Sequence, residues 1–171
     1  CYSNIDQNLS LIDNITLLNS VPSAPLLQTP TNGSNITNRT PELVWINSTD
    51  LDASDNLSYR LYVSNSSDFA VLTVNTSLAE ASAPNSSFLL TNDLEVGTTY
   101  YWKVRATDAE EEGAWSNTSS LNILSLVDVQ LLVSSVDFGS LGPKTSVNTT
   151  DPSYAAIEIS NQGNVPITIQ I

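Results

Sequence analysis

The sequence contains no histidine, no methionine and a single cysteine in 171 residues. Each shortage closes off a class of chemistry. Without histidine there is no Ser-His-Asp or Cys-His centre, and most zinc sites are excluded. With Cys1 as the lone thiol, no disulfide can close within the chain, so packing must hold the fold. The missing methionine sets the expectation of a start downstream of a translation start, as in a secreted protein whose signal peptide is gone. Basic residues are also scarce: five Lys and Arg stand against 18 Asp and Glu, a net charge of −13. Nucleic acid and anionic membrane surfaces both need cations, so neither is an expected partner. No stretch approaches the roughly 20 apolar residues of a transmembrane helix. There is no glycine-rich phosphate loop, and no carboxylate pair takes the core-facing placement of a glycosidase. The expectation is a protein that is not an enzyme, with no catalytic residues.

What is abundant is asparagine two residues before a hydroxyl. Asn-x-Ser/Thr occurs at Asn8, Asn14, Asn32, Asn35, Asn38, Asn47, Asn56, Asn65, Asn75, Asn85, Asn117 and Asn148. That is 12 of the 18 asparagines, where chance would give about four. None has proline in the middle. The pattern points to N-linked glycans on an exported surface protein. The competing explanation is turn composition, since Asn, Ser and Thr all form turns. The strong negative charge suits a self-repelling extracellular surface. Cys1 holds the position at which a lipoprotein carries its lipid; the alternative is a chain simply cut there.

The most ordered stretch is Leu94 to Ala106, LEVGTTYYWKVRA. A turn around Gly97 leads into a strand with Tyr100, Trp102, Val104 and Ala106 on one face, and Tyr101, Lys103, Arg105 and Thr107 on the other. Leu94, Gly97, Thr98 and Tyr100 stand at the spacing of the L-x-P-G-T-x-Y signature, so residues 22–125 resemble a fibronectin type III domain. Val96 replaces the usual proline. Trp45 in PELVWIN, Tyr59 and Tyr62 in LSYRLYVS, and GAWS at 113–116 extend the resemblance. It implies an all-β sandwich with a tyrosine corner, in which the Tyr100 hydroxyl bonds upstream backbone and its ring packs on Leu94. It implies no particular activity. Few lysines, one cysteine and many sequons would also suit an archaeal surface protein.

Three segments follow from composition. Residues 1–20 are strand-like and polar, with Leu9, Leu11, Ile15 and Leu17 alternating. Pro22, Pro25 and Pro30 then give an extended lead into a sandwich over 21–125. Its strands are expected at 25–28, 41–46, 57–64, 69–75, 86–91, 99–107 and 119–124. Residues 126–171 form a second unit with strands in LVDVQLLVSSVDFGSL, AAIEIS and VPITIQI and a turn at 161–164. DFGSLGP followed by IEISNQGNVPITI resembles the opening strands of an immunoglobulin-like domain. A sandwich needs about seven strands, so this second sandwich is expected to be incomplete. Either the polypeptide continues, or another subunit supplies the missing strands by β-augmentation, with residues 1–20 as candidate donor.

Two constellations merit attention. Asp50, Asp52 and Asp55 precede one strand, and Asp108, Glu110, Glu111 and Glu112 follow another. In a fibronectin-type sandwich both loops lie at one pole, where oxygen ligands could hold calcium, the one cofactor the sequence suggests. The alternative is a solvated acidic rim whose Asp residues form turns. Among the aromatics, Trp45 and Trp102 are expected in the core. Trp115 either covers the sandwich edge or contacts a sugar or partner. Arg60, Lys103 and Arg105 fall on outward positions and are expected to interleave with aromatics as a stacked ladder.

These features together predict a structural subunit of an extracellular, glycosylated filament or surface layer, polymerised by strand exchange. A heterologous contact of that kind builds open fibres. The alternative is an adhesive or carbohydrate- or protein-binding module of a longer cell-surface protein. A lipid-anchored receptor domain would rest on Cys1 alone.

Overall fold

The computed structural model describes residues 19–52, 56–132 and 159–168. Its longest strand is β7 (Thr99–Thr107), where burial alternates without a break. Tyr100, Trp102, Val104 and Ala106 are buried, as their period-2 spacing requires. Nine residues of strand, at about 3.3 Å each, carry the chain from one pole of the domain to the other.

Around β7 lies a five-stranded sheet in the order β2 (Ser34–Ile36), β8 (Ser119–Ile123), β7, β4 (Ser58–Ser64) and β5 (Val74–Ala79). A three-stranded sheet of β1 (Leu26–Thr29), β3 (Glu42–Ile46) and β6 (Asn85–Leu89), in that order, covers it. All pairings in the two sheets are antiparallel except β2 with β8, which is parallel. The inward residues of β3, β4, β7 and β8 make one core cluster, centred on Trp45, Tyr59, Leu61, Trp102 and Leu121. Trp45 meets Tyr59 edge-on, with ring centroids 5.4 Å apart and planes at 73°, a favoured aromatic arrangement. The fold is therefore an all-β sandwich of the fibronectin type III and immunoglobulin-like kind, with Trp45 and Trp102 in its core.

The corner before β7 follows the same pattern. Gly97 has φ 76°, a left-handed turn that glycine adopts without steric cost. The Tyr100 hydroxyl accepts the Glu95 N–H at 3.1 Å. Its ring joins Leu94 in the core, and Val96 packs partly buried against both sheets' cluster in place of proline.

Three strand assignments need correction. The fourth expected strand, 69–75, is displaced to β5 at Val74–Ala79. The Asp68 carboxylate accepts the Ser66 hydroxyl and the Ala70 N–H, and Phe69 sits at φ 57°, so the chain turns where a strand was expected. β2 was not anticipated: three residues are too few for a periodic signal. Beyond the sandwich, β9 (Val129–Leu131) pairs antiparallel with β10 (Ile159–Asn161). Residues 165–168 are not strand as VPITIQI suggested. There Pro166 has no N–H to donate, and the Asn161 side-chain amide takes up the Val165 carbonyl at 2.9 Å. The candidate donor strand in 1–18, the segment 133–158 and the last residues 169–171 lie outside the described residues, as does any completion of the second sandwich.

Candidate functional site

The two poles of the sandwich hold different segments of the chain. At one pole residues 47–52 and 108–113 clasp residues 19–23. The Ser20 N–H donates to Asp52 Oδ2 at 2.6 Å, and Asn19 Nδ2 donates to Asp108 Oδ2 at 3.0 Å. The Ser23 N–H donates to the Thr49 carbonyl at 2.9 Å. Gly113 permits the approach: a Cβ there would lie 2.6 Å from the Pro22 carbonyl oxygen.

The acidic residues expected to converge at this pole do so in part. Asp52 and Asp108 both grip the leading segment, and Asp52 Oδ2 and both Asp108 oxygens already accept N–H donors. Asp108 Oδ1 accepts the Glu110 and Glu111 N–H groups. The Glu111 N–H and then the Asn19 amide hold its carboxyl below the usual carboxylate range. Asp50 Oδ1 accepts the Asp52 N–H at 2.8 Å and shapes the turn. Glu110 is exposed. Among the described residues no three Asp, Glu or Cys side chains gather closely enough to hold a metal; Asp55 lies outside the described residues.

At the opposite pole the turn Asn161–Asn164 docks on the strand ends. Asn164 Nδ2 donates to the Thr37 carbonyl at 2.7 Å and to the Leu124 carbonyl at 2.8 Å. Its Oδ1 accepts the Leu126 N–H at 2.7 Å. Gly163 lies so close to the Leu126–Asp128 backbone that a Cβ would overlap the Leu126 carbonyl oxygen. Beside them Arg39 bridges to Asp93 at 3.0 Å and donates to the Leu94 carbonyl at 2.8 Å, tying two loops of this pole together.

The outer face of the five-stranded sheet carries the ladder. Lys103 Nζ lies 4.2 Å from the Phe69 ring centroid and 4.7 Å from that of Trp115. Arg105 lies 4.8 Å above Trp115, and Arg60 6.0 Å from Tyr62. Tyr62 and Trp115 are in contact, with centroids 4.6 Å apart. Glu112 pairs with Arg105 at the end of the row. Three of the chain's five basic side chains are thus spent on aromatic faces. Trp115 covers β7 from outside. Phe69 is the member that sequence reasoning missed; its signal lay in a turn mistaken for a strand.

The sequons sort by environment. Asn32, Asn35, Asn38, Asn56, Asn65, Asn75, Asn85 and Asn117 are exposed. Asn47 is half-buried, and its amide donates to the Ala81 and Ala83 carbonyls at 2.9 and 2.7 Å. Asn8, Asn14, Asn148 and Cys1 lie outside the described residues. No helix of the described residues is long and apolar enough to cross a membrane.

No curated protein matches the sequence. Similar solved structures include an alpha-L-rhamnosidase from Dictyoglumus thermophilum, at 17% identity and TM-score 0.43, over 64% of this chain and 15% of that one. Chicken CNTN1 FN1–FN3 domains match at 17% identity and TM-score 0.43, over 68% of this chain and 41% of that one. A fibronectin type III domain from human KIAA0970 protein matches at 19% identity and TM-score 0.41, over 85% and 98%. This chain therefore spans under half the length of the first two. A family model described as the Rha78A-like, N-terminal immunoglobulin domain matches residues 23–124. Through those residues, this chain belongs to the Rha78A-like N-terminal immunoglobulin domain family.

Proposed function

We propose that this protein is a non-enzymatic structural unit of a glycosylated extracellular filament or surface layer, joined end to end by strand exchange between subunits. The domain itself is a structural or binding module of a kind that is typically non-catalytic and commonly extracellular. The observation that supports a linear arrangement is the anchoring of the flanking segments at opposite poles. Asp52 and Asp108 fix residues 19–20 at one end, and Asn164 fixes the following segment at the other. N-linked glycans and the charge of −13 would keep lateral faces apart. The test is negative-stain electron microscopy of the native material, together with its intact mass, before and after deletion of residues 1–20. Regular fibres that are lost on deletion, while the sandwich still melts cooperatively, support the proposal. Monodisperse particles unaffected by deletion sink it.

A second reading has its own support. The family model describes an N-terminal domain, and the sheet face carrying Tyr62 and Trp115 is solvent-facing. This favours an adhesive or carbohydrate- or protein-binding module of a longer surface protein. Such a module keeps its oligomeric state and its ligand after residues 1–20 are removed.

A further inference from the structure

The placement of the sequons within the sheets carries a further step, which rests on the glycoprotein reading above. The strand orders leave β2 and β5 outermost in one sheet, and β1 and β6 outermost in the other. An outer strand presents unpaired N–H and C=O groups that template pairing with another chain, and proteins protect such strands with lysine, proline or bulges. β2 (SNI), β5 (VNTSLA) and β6 (NSSFL) contain no lysine and no proline, although Pro84 stands just before β6, and their pairings run without a bulge. Each instead holds one sequon asparagine: Asn35, Asn75 and Asn85, all exposed. The fourth outer strand, β1, has no sequon. It is bulged between Leu27 and Thr29 and flanked by Pro25 and Pro30. None of the inner strands β3, β4, β7 and β8 contains a sequon asparagine.

We propose that N-linked glycans on Asn35, Asn75 and Asn85 cap the outer strands β2, β5 and β6 and stop copies of this chain from pairing edge to edge. The modification joins the amide nitrogen to C1 of the sugar. The C1–O bond of an activated glycosyl phosphate donor breaks, the phosphate ester leaves, and one amide proton is released. The amides of Asn75 and Asn85 have no side-chain partner among the described residues. Asn35 uses only its oxygen, which accepts from Asn122 Nδ2 at 2.9 Å. Each nitrogen is thus open to the sugar. Asn75 stands directly across from Tyr62, and Asn85 across from Ile46. A bulky polar group at these positions shields apolar surface as well as the strand edge.

The test compares two sets of three substitutions in the full glycosylated chain. One removes the strand sequons (N35Q, N75Q, N85Q); the other removes three turn sequons (N56Q, N65Q, N117Q). Site-resolved peptide mass spectrometry first establishes glycans on Asn35, Asn75 and Asn85. Sedimentation velocity should then show a several-fold rise in average mass for the strand set and none for the turn set, at equal melting temperature. If the strand set fails to fold, enzymatic removal of glycans from the folded wild type takes its place, and a protein that stays dispersed overturns the proposal. So does equal behaviour of the two sets, or glycans confined to the turns. A protein bare at every sequon overturns the glycoprotein reading itself.

Discussion

The Tyr59 hydroxyl, at the end of a ring with no exposed surface, donates to Glu80 Oε1 at 2.6 Å and accepts the Ser48 N–H at 2.7 Å. Burial, and then the bond to Glu80, push its pKa up to about 12 from 10.0. The neutral phenol is thus preferred in the fold. Its stabilisation is complete below pH 10.0 and is lost as pH rises through about 12. Urea unfolding midpoints should therefore hold to pH 10 and fall steeply above it. Tyr59→Phe should cost about 1–3 kcal/mol at neutral pH, because the buried Ser48 N–H loses its acceptor. It should also flatten the alkaline fall. An unchanged alkaline profile in that variant would assign the fall to other groups.

The ladder makes a second prediction. Lys103 lies between Phe69 and Trp115, in a chain with no disulfide to hold this face. Cation–π contacts of partly desolvated groups contribute about 0.5–2 kcal/mol. Lys103→Ala and Trp115→Ala should each destabilise the domain, and the double variant should lose less than their sum by about 0.5–1 kcal/mol. Strict additivity in thermal or urea unfolding would mean that the ring and the ammonium are neighbours without coupling.

How far the sequence reveals this arrangement depends on how local each signal is. The β7 pattern is fully legible, because alternation over nine residues cannot be satisfied by a helix. The corner at Leu94, Gly97 and Tyr100 is legible through its resemblance to the fibronectin type III signature, and one backbone conformation and one hydroxyl bond complete it. The ladder is legible because Arg60, Lys103 and Arg105 occupy outward phases of paired strands. β5 is misplaced because FAVLT looks apolar while the turn that displaces it is built by Asp68, whose side-chain bonds leave no periodic trace. The acidic pole is half legible. The resemblance to a fibronectin-type sandwich implies that Asp52 and Asp108 share a pole, but only the folded structure reveals that both carboxylates face the backbone and amide of residues 19–20.

The docked ends make a third prediction, through two glycines. Gly113→Ala sets a methyl against the Pro22 carbonyl, and Gly163→Ala sets one against the Leu126 carbonyl. Each should loosen one pole alone. In hydrogen exchange, Gly113→Ala should expose the Ser23 amide, which bonds Thr49. Gly163→Ala should expose those of Gln162 and Asn164, which bond Asp128 and Leu126. β7 amides should keep their protection in both. Loss of β7 protection in either variant would make that pole part of the core and not a dock.

Asn47 supplies the last prediction, because it has the sequence of a glycan acceptor and the bonds of a structural residue. Its amide nitrogen donates to the Ala81 and Ala83 carbonyls, and its oxygen accepts the Ser86 hydroxyl at 2.7 Å. Its own backbone N–H donates to the Pro84 carbonyl at 2.9 Å. Together these bonds staple the loop before β6 to the end of β3. A glycan replaces one amide hydrogen, so it would break one of the two carbonyl bonds and place a sugar against that loop. In site-resolved mass spectrometry of the folded protein, Asn47 should therefore be unmodified, even where Asn65 and Asn85 carry glycans. Asn47→Ala should cost about 1–3 kcal/mol, since it leaves the buried Ser86 hydroxyl without its acceptor and breaks both carbonyl bonds, whereas Asn65→Ala, at an exposed turn, should change stability by less than about 0.5 kcal/mol. A sugar on Asn47 of the native protein would require a different loop 81–84 from the one this fold contains.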